Sequence, residues 1–164
     1  QIDAGVDTIQ LFDSWIGCLS PWDYDAYVRP HNQQILAALR SRDIPLIYFG
    51  TDTATLLGQI KDDGATVVGV DWRIPLDAAR RGLGSQVAIQ GNLDPAVMLA
   101  PWNVVADRAA DVLRQADGQA GHIFNLGHGI YPDTPVDTIA RLVDFVHGFA
   151  ADPHPYAWTN IATT

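Results

Sequence analysis

The sequence predicts an α/β fold built from parallel strands with connecting helices. Two observations lead to this prediction: short apolar runs alternate with segments of helical period, and each apolar run ends in polar residues and glycine. In parallel α/β folds ligands bind outside the carboxyl ends of the strands, so these endings predict a binding site. The clearest ending is Asn125-Leu126-Gly127-His128-Gly129.

The predicted strands are rich in Val, Ile, Phe or Leu, as expected for strands that are covered on both faces. They are Thr8–Asp13, Pro45–Gly50, Val67–Trp72, Val87–Asn92 and His122–Leu126. Parallel strands with crossover helices form an open doubly wound sheet or a closed barrel. Because no strand is followed by a G-x-G-x-x-G turn, the dinucleotide-binding open sheet loses its main support. We predict a (βα)8 TIM barrel, of which this sequence carries about the last five βα units.

Helix boundaries are marked by proline and glycine. Ser20-Pro21, Asp94-Pro95 and Thr134-Pro135 each place a capping side chain before a proline at the predicted first helical position. Gly64 and Gly84 follow helical runs and are predicted to end them. The chain therefore reads as a succession of βα units.

Composition limits the class of protein. A chain of 164 residues with 48% hydrophobic and 18% charged residues suits a globular domain. We predict a partial barrel over residues 1–150 and a C-terminal tail over 151–164. The net charge of −9 disfavours nucleic-acid binding, and no apolar stretch reaches the roughly 20 residues of a membrane-spanning helix. With Cys18 as its one cysteine, the protein is expected to be cytoplasmic.

Four segments carry a resemblance to a known family. They are Phe12–Pro21 (FDSWIGCLSP), Val68–Trp72 (VGVDW), Gln90–Pro95 (QGNLDP) and Asn125–Gly129 (NLGHG). In this order they resemble the C-terminal part of the uroporphyrinogen decarboxylases. The resemblance implies a TIM barrel that forms a homodimer when full length and uses neither a metal nor an organic cofactor. It also implies a tetrapyrrole substrate, with the four acetate carboxyls of uroporphyrinogen III removed to give coproporphyrinogen III.

The resemblance implies three substrate-binding residues in this sequence. Ser14 and His128 would contact carboxylates of the substrate, and Phe12 would line the pocket beside the macrocycle. A serine hydroxyl and an imidazole ring both donate hydrogen bonds to anions. The resemblance also implies that the groups for proton transfer and for binding the pyrrole nitrogens are an R-Q-A-G-R segment, an aspartate and a tyrosine on earlier strands, and these segments do not occur here. The catalytic residues are therefore unknown, and we expect this chain to be inactive alone.

Several acidic residues have structural interpretations. Asp94 is predicted to cap the helix that follows it. Asp71 is predicted to form an internal ion pair with the neighbouring Arg73 at the barrel rim. Asp62 and Asp63 are expected to form a solvated helix end.

The histidines divide into two groups. His31, His122, His147 and His154 lie on predicted helix faces or connections and are expected to have ordinary roles, because none follows a strand. His128 follows a strand, although a structural histidine that bonds to the backbone remains an alternative.

Two alternative functions are open. A sister branch of the superfamily contains zinc-dependent methyltransferases with an H-x-C pair and a later cysteine near strand ends, whereas the corresponding ends here are Phe49–Asp52 and Gly127–Gly129. Without such soft ligands, the sequence predicts no metal site. The second alternative is a non-catalytic half-barrel that binds a tetrapyrrole or a partner chain through exposed sheet edges.

Overall fold

A single parallel sheet organises the chain. The computed structural model describes residues 1–116 and 118–149, and its five strands lie in sequential order, β1 to β5. They are β1 (Ile9–Asp13), β2 (Leu46–Gly50), β3 (Val67–Gly69), β4 (Ala88–Leu93) and β5 (His122–Leu126). The five predicted strands are confirmed, with β3 ending three residues early. The predicted tail, and His154 within it, lie outside the described residues.

Helices connect successive strands. The α-helices are α1 (Pro21–Asp23), α2 (Arg29–Leu39), α3 (Leu57–Ile60), α4 (Leu76–Leu83), α5 (Trp102–Gln115) and α6 (Val136–Gly148). A π-helical turn over Tyr24–Val28 joins α1 to α2, and 3-10 turns cover Ile2–Ala4, Ile16–Cys18, Arg40–Arg42 and Pro95–Leu99. Parallel strands in sequential order with intervening helices confirm the α/β class and match consecutive units of a (βα)8 barrel. In the described part of the chain, no helix has the length and apolar character needed to cross a membrane.

The sheet is curved. The Gln90 side chain on β4 donates a hydrogen bond to the Gln10 side chain on β1, with an N···O distance of 3.1 Å, although β2 and β3 lie between these strands. Neighbouring strands are about 4.8 Å apart, so in a flat sheet side chains three strands apart could not meet. Gln10 and Gln90 therefore face each other across a concave surface.

The two faces of the sheet differ in character. One register row on the concave face runs through Phe12, Phe49, Gly69, Gln90 and Ile123. The opposite, convex face carries the core, in which the strands pack against the helices through apolar residues that include Tyr48, Val68, Ile89, Leu36 and Val105. Burial of this apolar surface stabilises the fold, while the concave face keeps aromatic and amide side chains.

Two of the three predicted helix caps are confirmed. The Ser20 hydroxyl accepts from the Asp23 N–H at 3.1 Å, and the Asp94 carboxylate accepts from the Ala96 N–H at 2.8 Å, although the segment after Asp94 is a 3-10 turn. The prediction for Thr134 is wrong. Pro135 has an extended ψ of 131° and occupies the cap position itself, so the Thr134 hydroxyl is not placed to reach the first turn of α6.

Gly84 ends α4 as predicted, whereas α3 already ends at Ile60, with Lys61 as its capping residue, four residues before Gly64. Both glycines have positive φ, and the Gly84 N–H bonds to the Arg80 carbonyl at the end of α4. The prediction of a solvated helix end is wrong for Asp63. Its side chain is buried and accepts hydrogen bonds from the Tyr24 hydroxyl and from Arg29 Nε, the latter at 2.9 Å.

Asp63 is one end of a buried polar chain on the convex side. The Asn32 amide lies between the hydroxyls of Tyr24 and Tyr48, at 3.4 and 3.3 Å, and the Tyr48 hydroxyl donates to Asp13 Oδ2 at 3.0 Å. Burial raises the pKa of Asp63 above its ordinary value, against the opposing effects of its bonds to Tyr24 and Arg29. These hydrogen-bonded side chains fix the π-helical turn and α2 against the end of β1.

We predict that Tyr24→Phe lowers the free energy of unfolding by about 1–3 kcal/mol, because the buried Asp63 carboxylate loses a donor. Tyr27→Phe is the matched control, since Tyr27 belongs to the same turn but is 65% exposed. Its effect should stay within about 0.5 kcal/mol. Urea denaturation of both variants measures the difference. Equal effects would show that the hydrogen bond from Tyr24 to Asp63 does not stabilise the fold.

His122 lies at the amino end of β5, away from the strand's carboxyl end as predicted. Its Nε2 is 2.8 Å from the Gly91 carbonyl oxygen, so the neutral ring donates this bond. Burial lowers the pKa of His122 below its ordinary value, against the Gly91 bond, which raises it.

This lowered pKa predicts a pH-dependent stability. The contribution of His122 is complete above its ordinary pKa of about 6.5 and is lost as the pH falls towards the folded-state pKa, because the unfolded chain then binds the extra proton. Relative to His122→Gln, which keeps a donor for Gly91 but does not titrate, the wild-type chain should lose stability between about pH 7.5 and about pH 5.5. Unfolding curves at both pH values test this, with His31→Gln as an exposed control; parallel changes in wild type and His122→Gln would contradict it.

Candidate functional site

The loops after β1 and β5 meet in one cleft at the carboxyl end of the sheet. Ser14 directly follows β1 and His128 lies two residues after β5, so they come from the two outermost of the five strands. Both line a cleft with a volume of about 520 Å³. The lining residues are Ser14, Trp15, Thr51, Trp72, Arg73, Pro95, His128, Gly129 and Tyr131. The structure therefore brings together two of the three predicted site residues.

An aromatic row connects the cleft to the concave face. The rings of Phe12 and Phe49 meet edge to face at 6.0 Å, and Phe49 meets the His128 ring at 6.3 Å. Gly69 makes room for Phe49, because a Cβ at Gly69 would lie 2.9 Å from the ring. Phe12 is 68% exposed and lies outside the cleft lining, so it presents an open apolar surface next to the cleft.

A buried carboxylate organises the loops around the cleft. Asp71 follows β3, is 2% exposed, and accepts hydrogen bonds from the Asp52 N–H at 2.7 Å and from the Arg73 N–H at 3.1 Å. It also pairs with the Arg73 guanidinium, which confirms the predicted ion pair. These bonds explain why β3 ends early: the Asp71 side chain turns the chain towards Arg73 and binds the neighbouring loop.

Asn92 is a structural residue beside the cleft whose role was not predicted. Its buried amide donates to the Asp71 carbonyl at 2.9 Å and to the Ile74 carbonyl at 2.7 Å, so β4 holds the loop that follows β3. An amide at the end of an apolar strand, within Gln90–Pro95, is the sequence feature that could have indicated such a tie.

Gly127 allows the His128 loop to approach Asp71 and Trp72. A Cβ on Gly127 would lie 2.7 Å from the Trp72 backbone nitrogen and 3.1 Å from the Asp71 carbonyl carbon. The Gly127 N–H bonds to the Leu93 carbonyl at 2.7 Å. The glycine before the histidine is therefore required by backbone packing, which places the His128 side chain over the cleft.

Arg73 supplies positive charge to the cleft. Its guanidinium carbon lies over the Trp72 ring, 4.4 Å from the ring centroid, which is a cation–π contact. Among the described residues that line the cleft, Arg73 is the one lysine or arginine. Within residues 1–116 and 118–149, no three His, Cys, Asp or Glu side chains converge in a way that could hold a metal ion.

Comparisons with known proteins assign the chain to a family. The family model described as Uroporphyrinogen decarboxylase (URO-D) matches residues 1–149. The chain belongs to this family. A protein named uroporphyrinogen decarboxylase from Koribacter versatilis is 53% identical over 152 residues, and one from Thermobifida fusca is 54% identical over 147 residues. The resemblance inferred from the four sequence segments is therefore confirmed.

The match covers most of this chain but less than half of the relatives. The alignment includes 92% of this chain and 43% of the Koribacter protein, and 90% and 41% for the Thermobifida protein. Among solved structures, a methyltransferase from Methanosarcina mazei superposes with a TM-score of 0.76 over 88% of this chain and 42% of its own, at 19% identity. At that identity the likeness supports the fold alone.

We predict that Gly127→Ala destabilises the chain by about 1–3 kcal/mol, because the added methyl group overlaps the backbone at Trp72. Gly129→Ala is the matched control in the same loop, since a Cβ there meets no atom within 4 Å. Urea denaturation measures both effects. A neutral Gly127→Ala would show that the loop relaxes freely and that the close packing does not position His128.

Proposed function

We propose that the polypeptide carrying this cleft is a uroporphyrinogen decarboxylase, which removes the four acetate carboxyls of uroporphyrinogen III as carbon dioxide to give coproporphyrinogen III. The observation that carries the proposal is the meeting of Ser14 and His128 in one cleft beside an aromatic surface. The names of the family and of its relatives support the same reaction. Since the chain spans less than half of those relatives, other segments are proposed to complete the pocket.

The chemistry of the substrate makes a cofactor unnecessary in this proposal. Protonation of a pyrrole carbon makes the ring cationic, and the electron pair of the breaking carbon–carboxylate bond then flows into that ring as carbon dioxide leaves. A second proton transfer, in which the exocyclic carbon gains a proton and the ring carbon gives up the one it received, restores the pyrrole and leaves a methyl group. The substrate thus serves as the electron sink that a cofactor supplies in other decarboxylases. No residue of this chain is assigned to either proton transfer.

The proposed roles of this chain are binding and orientation. Ser14 and His128 would donate hydrogen bonds to carboxylates at two sides of the cleft, and Phe12 would contact the macrocycle through its exposed ring. A largely apolar tetrapyrrole with charged substituents suits this combination of an aromatic surface and polar edges. We also propose that the complete protein is a homodimer and is cytoplasmic, in keeping with its one cysteine, Cys18.

His128→Asn tests the proposal in the protein as its gene encodes it. We expect kcat/KM for uroporphyrinogen III to fall by roughly ten- to a hundredfold, the size expected for one charge-assisted hydrogen bond, while the thermal midpoint stays unchanged. Product formation can be followed by chromatography of the porphyrins after oxidation.

His31→Asn is the control for His128→Asn, because His31 is exposed on α2 and does not line the cleft. It should retain wild-type kinetics. Normal turnover of His128→Asn together with a large loss of stability would identify His128 as a structural residue. A wild-type protein that produces no coproporphyrinogen would overturn the proposed function.

A further inference from the structure

We propose that Arg73 binds a substrate carboxylate that is retained while another carboxyl group leaves. The inference rests on the proposed function and adds a specificity residue to the same cleft. Arg73 lies in the loop between β3 and α4, on the cleft wall that it shares with Trp72. Ser14 and His128 line the same cleft, so a ligand that they hold lies within the space that Arg73 also faces.

The Arg73 guanidinium is held in place by its surroundings. Its guanidinium carbon lies over the Trp72 ring, and Nη1 pairs with the buried Asp71 carboxylate. Asp71 is in turn fixed by the backbone N–H groups of Asp52 and Arg73. A guanidinium that is already ordered loses little conformational freedom when it binds a ligand, which favours affinity.

The remaining donors of Arg73 suit a carboxylate. Its Nε and Nη2 have no hydrogen-bond acceptor among the described residues, and the Arg73 side chain is 45% exposed. The Nε–H and one Nη2–H point along the same edge of the planar group, so they form a fork that matches the two oxygens of a carboxylate. The bond to Asp71 uses Nη1 and leaves this edge available.

The groups around Arg73 are compatible with a bound anion. Asp71 opposes a bound anion, but its two oxygens already accept hydrogen bonds from Asp52 and Arg73. The other polar groups of the lining, Ser14, Thr51, His128 and Tyr131, are donors or neutral. Arg73 is thus the group of this cleft wall best suited to attract a carboxylate.

The ion pair between Arg73 and a carboxylate suits a group that is retained better than the group that leaves. An arginine stabilises the ionised carboxylate in the bound substrate, and that interaction is lost when the group departs as neutral carbon dioxide. Binding the departing group would therefore stabilise the ground state and slow the reaction. A retained carboxylate gains affinity without this cost, so Arg73 should affect KM and leave kcat nearly unchanged.

Steady-state kinetics of Arg73→Gln with uroporphyrinogen III test the inference in the protein as encoded. We expect KM to rise roughly ten- to a hundredfold, with kcat within about threefold of wild type. Arg73→Lys keeps the charge but not the fork, and its KM should lie between those of wild type and Arg73→Gln. Arg141→Gln is the matched control, because the Arg141 guanidinium also lies over a tryptophan, 4.2 Å from the centroid of the Trp102 ring, but belongs to α6 outside the cleft.

A binding titration separates failure of the inference from failure of the proposed function. Uroporphyrin, the oxidised and unreactive octacarboxylate, is titrated against wild type, Arg73→Gln and Arg141→Gln, with thermal midpoints measured in parallel. Weaker binding by Arg73→Gln alone supports the carboxylate site even if the wild-type protein proves unable to decarboxylate. Decarboxylation by wild type with equal uroporphyrin affinity in Arg73→Gln overturns the inference and leaves the proposed function intact. A fall in kcat at unchanged KM also overturns it.

Discussion

The buried carboxylate of Asp71 is the constraint on which the geometry of the cleft depends. An ionised group in an apolar interior is costly unless it is paired and hydrogen-bonded, so the loops around Asp71 must supply donors. The loop after β2 provides the Asp52 N–H, and the loop after β3 provides both the backbone and the side chain of Arg73. Gly127, which follows β5, packs on the Asp71 backbone, and Asn92 of β4 donates a hydrogen bond to the Asp71 carbonyl. Contacts from β2, β3, β4 and β5 therefore meet at Asp71 and fix the loops around the cleft.

The remaining strand, β1, is held by a second set of hydrogen-bonded polar side chains, which lies on the convex face of the sheet. Asp13, the last residue of β1, accepts a hydrogen bond from Tyr48, and this bond continues through Asn32 to Tyr24 and Asp63. The residue after Asp13 is Ser14, the candidate substrate-binding residue, whose carbonyl accepts a hydrogen bond from the Thr51 hydroxyl. The end of β1 is therefore fixed on both sides of the chain. These bonds orient the Ser14 backbone and leave its hydroxyl available to a ligand.

Local patterns predicted most of the fold, while side-chain partners distant in sequence escaped prediction. The strands, the Ser20 and Asp94 caps and the Asp71–Arg73 pair all involve neighbours in sequence, so composition and spacing reveal them. Asp63 looked like a solvated residue because its partner Tyr24 lies 39 residues away. Thr134 matched the pattern of a capping residue, but the pattern does not report the backbone angles of the proline that follows.

At the candidate site, the charges next to the ligand matter more than the net charge of the whole chain. A net charge of −9 opposes a polyanionic ligand at long range, but exposed charges are largely screened beyond about 8–10 Å at physiological ionic strength. At the cleft the charge balance is set by one arginine that lies over Trp72 and by the buried aspartate that pairs with it, whose oxygens already accept hydrogen bonds. An acidic protein can therefore present a carboxylate-binding wall, provided that the guanidinium is held with one edge open. Trp72 and Asp71 hold it in this way, so the same buried carboxylate that fixes the loops also orients the cation for a ligand.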